Sequence, residues 1–235
     1  MASTAQEPVS ETATAFPAGL LCTSYASYRL AAPLGDAPRQ QLAAEVTEAL
    51  AGVQGVALRG VYDTAAMRVE CDLLIWLAAP TIEALQEADL AVRRTRLGAL
   101  IEPFWKAVGV YRDAEFSRSH KPAFYAGEPA RNWLCVYPFV RTHDWYLLDA
   151  ARRRELLVEH GVMGRDFPDV RANTVSAFGL GDYEWLLAFE ADDLGRIVDL
   201  IRHLRAAEAR RYTKEELPFI TGVRRPLEQI LGELP

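Results

Sequence analysis

Trp133-Leu134-Cys135-Val136-Tyr137-Pro138-Phe139-Val140-Arg141, with Asp144-Trp145-Tyr146 close behind, has the apolar character of a buried strand. It nevertheless carries a tyrosine and an arginine four residues apart. Alternation along a strand puts residues 137, 139 and 141 on one face, so a phenol and a guanidinium share a wall and bracket a phenylalanine. Two readings fit. The tyrosine is core with a hydrogen-bonded tip, or the wall belongs to an apolar pocket holding a few placed polar groups.

Outward from this strand the chain reads as one order of elements used twice. Before it come a strand from Cys22 to Tyr28, a helix opening near Asp36 and Pro38 and ending at Gly52, and strands over Val56–Tyr62 and Cys71–Ala78. Thr81 opens a helix to about Leu97, and Leu100–Tyr111 reads as a strand. After Trp133–Arg141 come a helix from Asp149 to about Met163 and a hairpin over Asn173–Phe178 and Tyr183–Phe189. A helix from Ala191 to about Ala209 follows, with Asp192 and Asp193 at its N-terminus, and then a strand over Leu217–Val223. Each set is β-α-β-β-α-β, the ferredoxin-like unit. Matching elements are offset by roughly 110 residues, the mark of an internal repeat. The fold class is therefore α+β: two ferredoxin-like halves per chain packed as a pseudo-twofold dimeric α+β barrel, their open faces buried together.

The expected divisions are a disordered tail over 1–17, an N-terminal half over 18–113, a linker loop over 114–132 and a C-terminal half over 133–235. The tail is rich in Ala, Thr, Ser, Glu and Pro without periodicity. The linker is polar and long enough to be functional.

The chain has 235 residues and a formal net charge of −6, with 50% hydrophobic residues, an ordinary globular balance. An acidic chain has no cation excess to replace phosphate counterions, so general nucleic-acid binding is not expected. Cys22, Cys71 and Cys135 sit in separate apolar stretches without zinc or disulfide spacing, and read as reduced and buried. No apolar run approaches a membrane span and no export signal opens the chain, so a soluble cytoplasmic protein is the expectation. Phosphate-binding glycine loops, a His-Glu-x-x-His and a Gly-x-Ser-x-Gly are all missing.

Four histidines remain. His120 lies in the linker, a solvated residue unless it points into a pocket. His143 and His203 read as surface. His160 ends the helical run Arg152–His160 and is followed by Gly161 and Gly164, which allow the helix to unravel and a flat ligand to approach. It is either an axial metal ligand facing an apolar cavity or a side chain interacting with the helix dipole.

At these residues the chain resembles the coproheme decarboxylases of the chlorite dismutase superfamily, in their actinobacterial form. The resemblance rests on Tyr137-Pro138-Phe139-Val140-Arg141, Asp144-Trp145-Tyr146 and His160-Gly161-Val162-Met163-Gly164-Arg165-Asp166. It continues through Gly181-Asp182-Tyr183-Glu184-Trp185 and Arg202-His203-Leu204-Arg205. It is dense over about the last hundred residues and follows element order before them.

The resemblance implies hydrogen peroxide-dependent oxidative decarboxylation of two propionates of iron coproporphyrin III to vinyls, giving haem b in haem biosynthesis. The iron porphyrin is substrate and redox centre together. It also implies a cytoplasmic homopentamer and a transient contact with ferrochelatase. Carried over by residue, His160 matches the axial iron ligand and Tyr137 the tyrosine that becomes a radical. His120 matches the distal base, Arg141 a propionate anchor, and Trp145 a pocket tryptophan. Two alternatives stand beside this. A chlorite dismutase would need an arginine where Ala209 aligns, and a non-catalytic haem-binding or transfer protein would need His160 alone.

Overall fold

The computed structural model describes residues 16–115 and 121–235. The first set of elements is β1 (Cys22–Leu30), α1 (Arg39–Ala51), β2 (Ala57–Asp63), β3 (Leu73–Ala79), α2 (Ile82–Arg93) and β4 (Ile101–Val110). The second is β5 (Trp133–Arg141), α3 (His143–Leu147), α4 (Ala150–Gly164), β6 (Arg171–Ser176), β7 (Trp185–Ala191), α5 (Leu194–Leu204), β8 (Thr213–Glu215), β9 (Ile220–Arg224) and α6 (Leu227–Glu233).

Hydrogen bonding runs β2-β3-β1-β4 in the first set and β6-β7-β5-β9 in the second, the same spatial order used twice. β4 meets β6, β2 meets β9, and the ring closes into a barrel with β8 as a spur on β5. The two seams are thin. One is the single pair Val110–Ser176, the other Tyr62–Arg224 and Asp63–Val223. A glycine stands at each seam. A Cβ on Gly109 would come within 2.2 Å of Val175 Cγ2, and one on Gly222 within 2.7 Å of the Asp63 carbonyl oxygen. Only a residue without a side chain lets the strands approach this closely.

The run Leu73–Ala79 is continuously apolar because both of its faces are buried. Leu74, Trp76 and Ala78 point into the barrel with Tyr25, Leu134 and Leu186, while Leu73, Ile75 and Leu77 lie under α1 and α2. Inside the barrel, a register shift in β2 frees Arg59 to meet Glu190 of β7 at 2.6 Å, both side chains fully buried. Such a pair is tolerated only when its remaining polar atoms are bonded. Here Asn173 Nδ2 and the Arg131 backbone N–H also donate to Glu190, and Arg59 Nη1 donates to the Glu128 carbonyl.

Local signals set the helix starts. Thr81 caps α2, Asp149 caps α4 and Asp193 caps α5 through their side chains. Asp36 does not cap α1. Pro38 occupies that position without a side-chain hydrogen bond, because the chain enters the helix later than Asp36 could reach. α2 and α5 end earlier than their periodicity suggests, each passing into a short 3-10 segment at Leu97–Ala99 or Glu208–Tyr212. α6 was not expected. It packs Leu227, Ile230 and Leu231 beside α1, at the far end of the chain from its own neighbours in sequence. Phe16, read with the tail, lies 4.9 Å beneath the Arg59 guanidinium. Phe124, read with the polar linker, is fully buried against Trp76. All three cysteines are free and buried. No described helix is long and apolar enough to cross a membrane.

Candidate functional site

The two copies differ on their outer faces. Leu73, Ile75, Leu77 and Ala79 of β3 are sealed under helices. Trp185 and Leu187, in the matching places on β7, are only half-buried, while Phe189 and Ala191 are closed over. The covering helices explain this. α1 buries Leu42, Ala43, Val46 and Leu50, whereas α4 buries Leu156 alone and leaves Val158 and Val162 exposed. α4 has α5 and the 208–212 turn as its main neighbours. A half-buried apolar shelf therefore remains on the outer face of the second sheet.

Strand pairing orders the shelf in rows. Phe139, Trp185 and Ser176 form one row; Tyr137, Leu187 and Thr174 form the next. Phe139 and Trp185 stack with ring planes 12° apart.

Tyr137 stands at the buried edge of this shelf, 7% exposed, its ring stacked on Phe219 with centroids 4.3 Å apart. Burial pushes its phenol well above the ordinary tyrosine range, so it is neutral at any working pH. Cys135 and the Glu216 carboxylate push it further, and Arg205 and Arg210 oppose them.

Arg141 ends the same strand in a different cluster. Its guanidinium lies 4.1 Å from the Trp145 ring centroid and 4.9 Å from that of Phe139. Nη1 donates to the Ala209 carbonyl at 3.0 Å. Glu184 Oε2 accepts both the Arg141 backbone N–H and the Tyr146 hydroxyl at 2.7 Å, which ties α3 to the strand end. Burial lowers the Arg141 pKa to about 10. Trp145 is buried with Leu156 and Ala209.

His160 sits half-buried near the end of α4. The helix does not unravel at Gly161. It continues to Gly164, because the capped, hydrogen-bonded run tolerates both glycines. His120 lies outside the described residues. On either side of it, Glu115 pairs with Arg153 of α4 at 2.8 Å, and the Ala123 N–H donates to Ala172 of β6 at 3.3 Å. His143 and His203 are exposed, the latter 3.7 Å from Asp166.

The structure thus brings Arg141 and Trp145 into direct contact and places Tyr137 in a neighbouring cluster on the same face. Sequence reasoning missed Phe219, Glu184 and the Glu216 group. Phe219 was within reach, since pairing Val136 with Ile220 puts residue 219 opposite 137. The other two depend on loops that return from distant parts of the chain.

A chlorite dismutase family profile matches residues 39–225. The chain is 54% identical over 183 residues to a coproheme decarboxylase of Mycolicibacterium smegmatis, covering 77% of this chain and 79% of that one. It is 23% identical over 155 residues to the coproheme decarboxylase of Staphylococcus carnosus, covering 59% and 62%. A variant chlorite dismutase from Candidatus Nitrospira defluvii superposes with a TM-score of 0.81 at 21% identity, over 93% of this chain and 97% of that one, and so shares the fold. With the profile spanning most of its length and so near a relative, the chain belongs to the chlorite dismutase family, among its coproheme decarboxylases.

Proposed function

We propose that the chain decarboxylates iron coproporphyrin III to haem b, with hydrogen peroxide as oxidant. The observation that carries this reading is the half-open apolar shelf, present in one copy of the fold and sealed in the other. A porphyrin is flat and apolar with carboxylates at its edge. Trp185, Leu187 and Phe139 offer a matching flat surface, Tyr137 and Arg141 lie along it, and α4 carries His160.

Each round converts a propionate, with one peroxide and one proton, into a vinyl group, carbon dioxide and two waters. The iron porphyrin supplies the one-electron chemistry when bound. His160, carried on α4, would hold the iron of the bound porphyrin. His120 takes the proton from peroxide, which an imidazole does near neutrality and a phenol cannot. Tyr137, kept neutral by burial, would lose an electron to the bound iron porphyrin and its proton to solvent. The phenoxyl radical would then take a hydrogen atom from the propionate, and the second electron would pass to the porphyrin as carbon dioxide leaves. Arg141 holds a carboxylate, and Trp145 fixes the guanidinium plane. The resemblance aligns Ala209 with an arginine that chlorite dismutation needs, which disfavours that chemistry; Ala209 is buried in the Trp145 and Leu156 cluster.

The same reading divides the chain at 18–113 and 133–235, assembles it as a cytoplasmic homopentamer, and allows a transient ferrochelatase contact. The deciding experiment adds iron coproporphyrin III and peroxide to the pure protein and follows products by mass. Stepwise loss of two carboxyl groups supports the proposal. Oxygen release from chlorite, or porphyrin binding without carboxyl loss, overturns it.

A further inference from the structure

Arg205, the C-cap of α5, and Arg210, in the 208–212 turn, converge on one carboxylate. Glu216 Oε2 accepts from Arg205 Nη1 at 2.6 Å, and Glu216 Oε1 pairs with Arg210 Nη1. Glu216 is 16% exposed in its side chain, the arginines 39% each. The trio lies where the chain crosses from β8 to β9. Glu215 pairs with Val140 and Ile220 with Val136, so Glu216 passes alongside the stretch of β5 holding Tyr137 and Phe139. Arg205 also lines a cavity of about 460 Å³ together with Cys135 and Phe219, the ring stacked on Tyr137. Arg141, farther along the strand, is engaged by Trp145 and the Ala209 carbonyl.

We infer that Arg205 and Arg210, aligned by Glu216, anchor the substrate carboxylate that reacts at Tyr137, while Arg141 serves a different propionate. The inference rests on the decarboxylase reading above. Three points carry it. The two guanidinium groups already grip a carboxylate, so their spacing suits that chemistry. Two cations against one anion leave a net positive charge beside the buried phenol. Each guanidinium has five N–H donors, so donors remain for a second carboxylate after Glu216 is held. All three charges act on the Tyr137 phenol, Glu216 raising its pKa and the two arginines lowering it.

The pairs are partly solvated and contribute little to stability, so their removal should leave the fold intact. The test compares the full chain with an Arg205→Gln, Arg210→Gln double variant, an Arg205→Lys, Arg210→Lys pair and an Arg141→Gln variant. Binding of iron coproporphyrin III is read from its absorption, and carbon dioxide loss by product mass under limiting peroxide. The Gln pair should bind within a few-fold of the parent but lose carboxyl groups on the order of 100-fold more slowly, as a misplaced reacting group does. The Lys pair should recover part of that rate, and Arg141→Gln should instead weaken binding more than rate. Turnover by the Gln pair at the parental rate overturns the inference, as does a fall in binding that accounts for the whole loss. Failure of the parent to release carbon dioxide overturns the decarboxylase reading itself, and the inference falls with it. The comparison of variant to parent therefore separates the two failures.

Discussion

The Arg141 guanidinium rests 4.1 Å from the Trp145 ring centroid and donates to the carbonyl of Ala209, one guanidinium held by an aromatic face and a backbone oxygen. Burial brings its pKa to about 10, so it is cationic below that pH and neutral above it. Affinity for iron coproporphyrin III should fall as pH rises through about 10. Arg141→Gln should bind roughly tenfold more weakly at neutral pH, the size of a lost charge-assisted hydrogen bond, and show no such alkaline fall. Titration by absorbance checks both.

Tyr137→Phe keeps the stack on Phe219 and removes only the hydroxyl. Porphyrin binding should stay within about twofold, while carboxyl loss stops at the first propionate. Because the parent phenol is held above its ordinary value, the parental rate should show no alkaline limb from phenol ionisation below about pH 10. Full turnover by the Phe variant would remove the radical role.

His120→Ala should react slowly with peroxide near neutrality and recover at alkaline pH, where peroxide ionises without help. Stopped-flow rates across pH measure this. A rate that matches the parent at every pH would exclude the histidine as the base.

Glu190→Ala would strand the Arg59 charge inside the barrel. The expected loss is about 3–5 kcal/mol, read from urea unfolding. Replacing both partners by Met and Leu should recover most of it, since packing then substitutes for the pair. An unchanged midpoint in the single variant would contradict the described burial.

Gly222→Ala places a methyl 2.7 Å from the Asp63 carbonyl oxygen at a seam and should destabilise by roughly 1–3 kcal/mol. Gly161→Ala meets nothing within 4 Å on a helix and should be stabilising by about 0.5–1 kcal/mol. Thermal unfolding of the two variants side by side gives the sign of each.

Local features were readable and long-range ones were not. Periodicity and caps exposed the repeated element order, since Thr81, Asp149 and Asp193 act within a few residues of themselves. The continuous apolar run read over Cys71–Ala78 matches β3, Leu73–Ala79, which is buried throughout. By contrast, Arg59 and Glu190 lie 131 residues apart, and nothing local marks either as an ion-pair partner. The seam glycines look like any strand glycine until Val175 and Asp63 are brought against them. α6 went unseen because its apolar residues only acquire a partner when α1 returns to meet them. At the site, Arg141 and Trp145 were visible as near neighbours in sequence. The Glu216 group was not, since its place beside β5 is set by the crossing from β8 to β9.

The sealed face of β3 and the half-open face of β7 give the molecule an internal division of labour. A site that accepts a large flat ligand forgoes close packing, and that loss weakens a single-copy protein. Here the copy with the sealed face keeps its full core and is joined to the other by backbone pairing and a buried ion pair. The half-open copy can therefore stay under-packed, its stability underwritten by its closed twin.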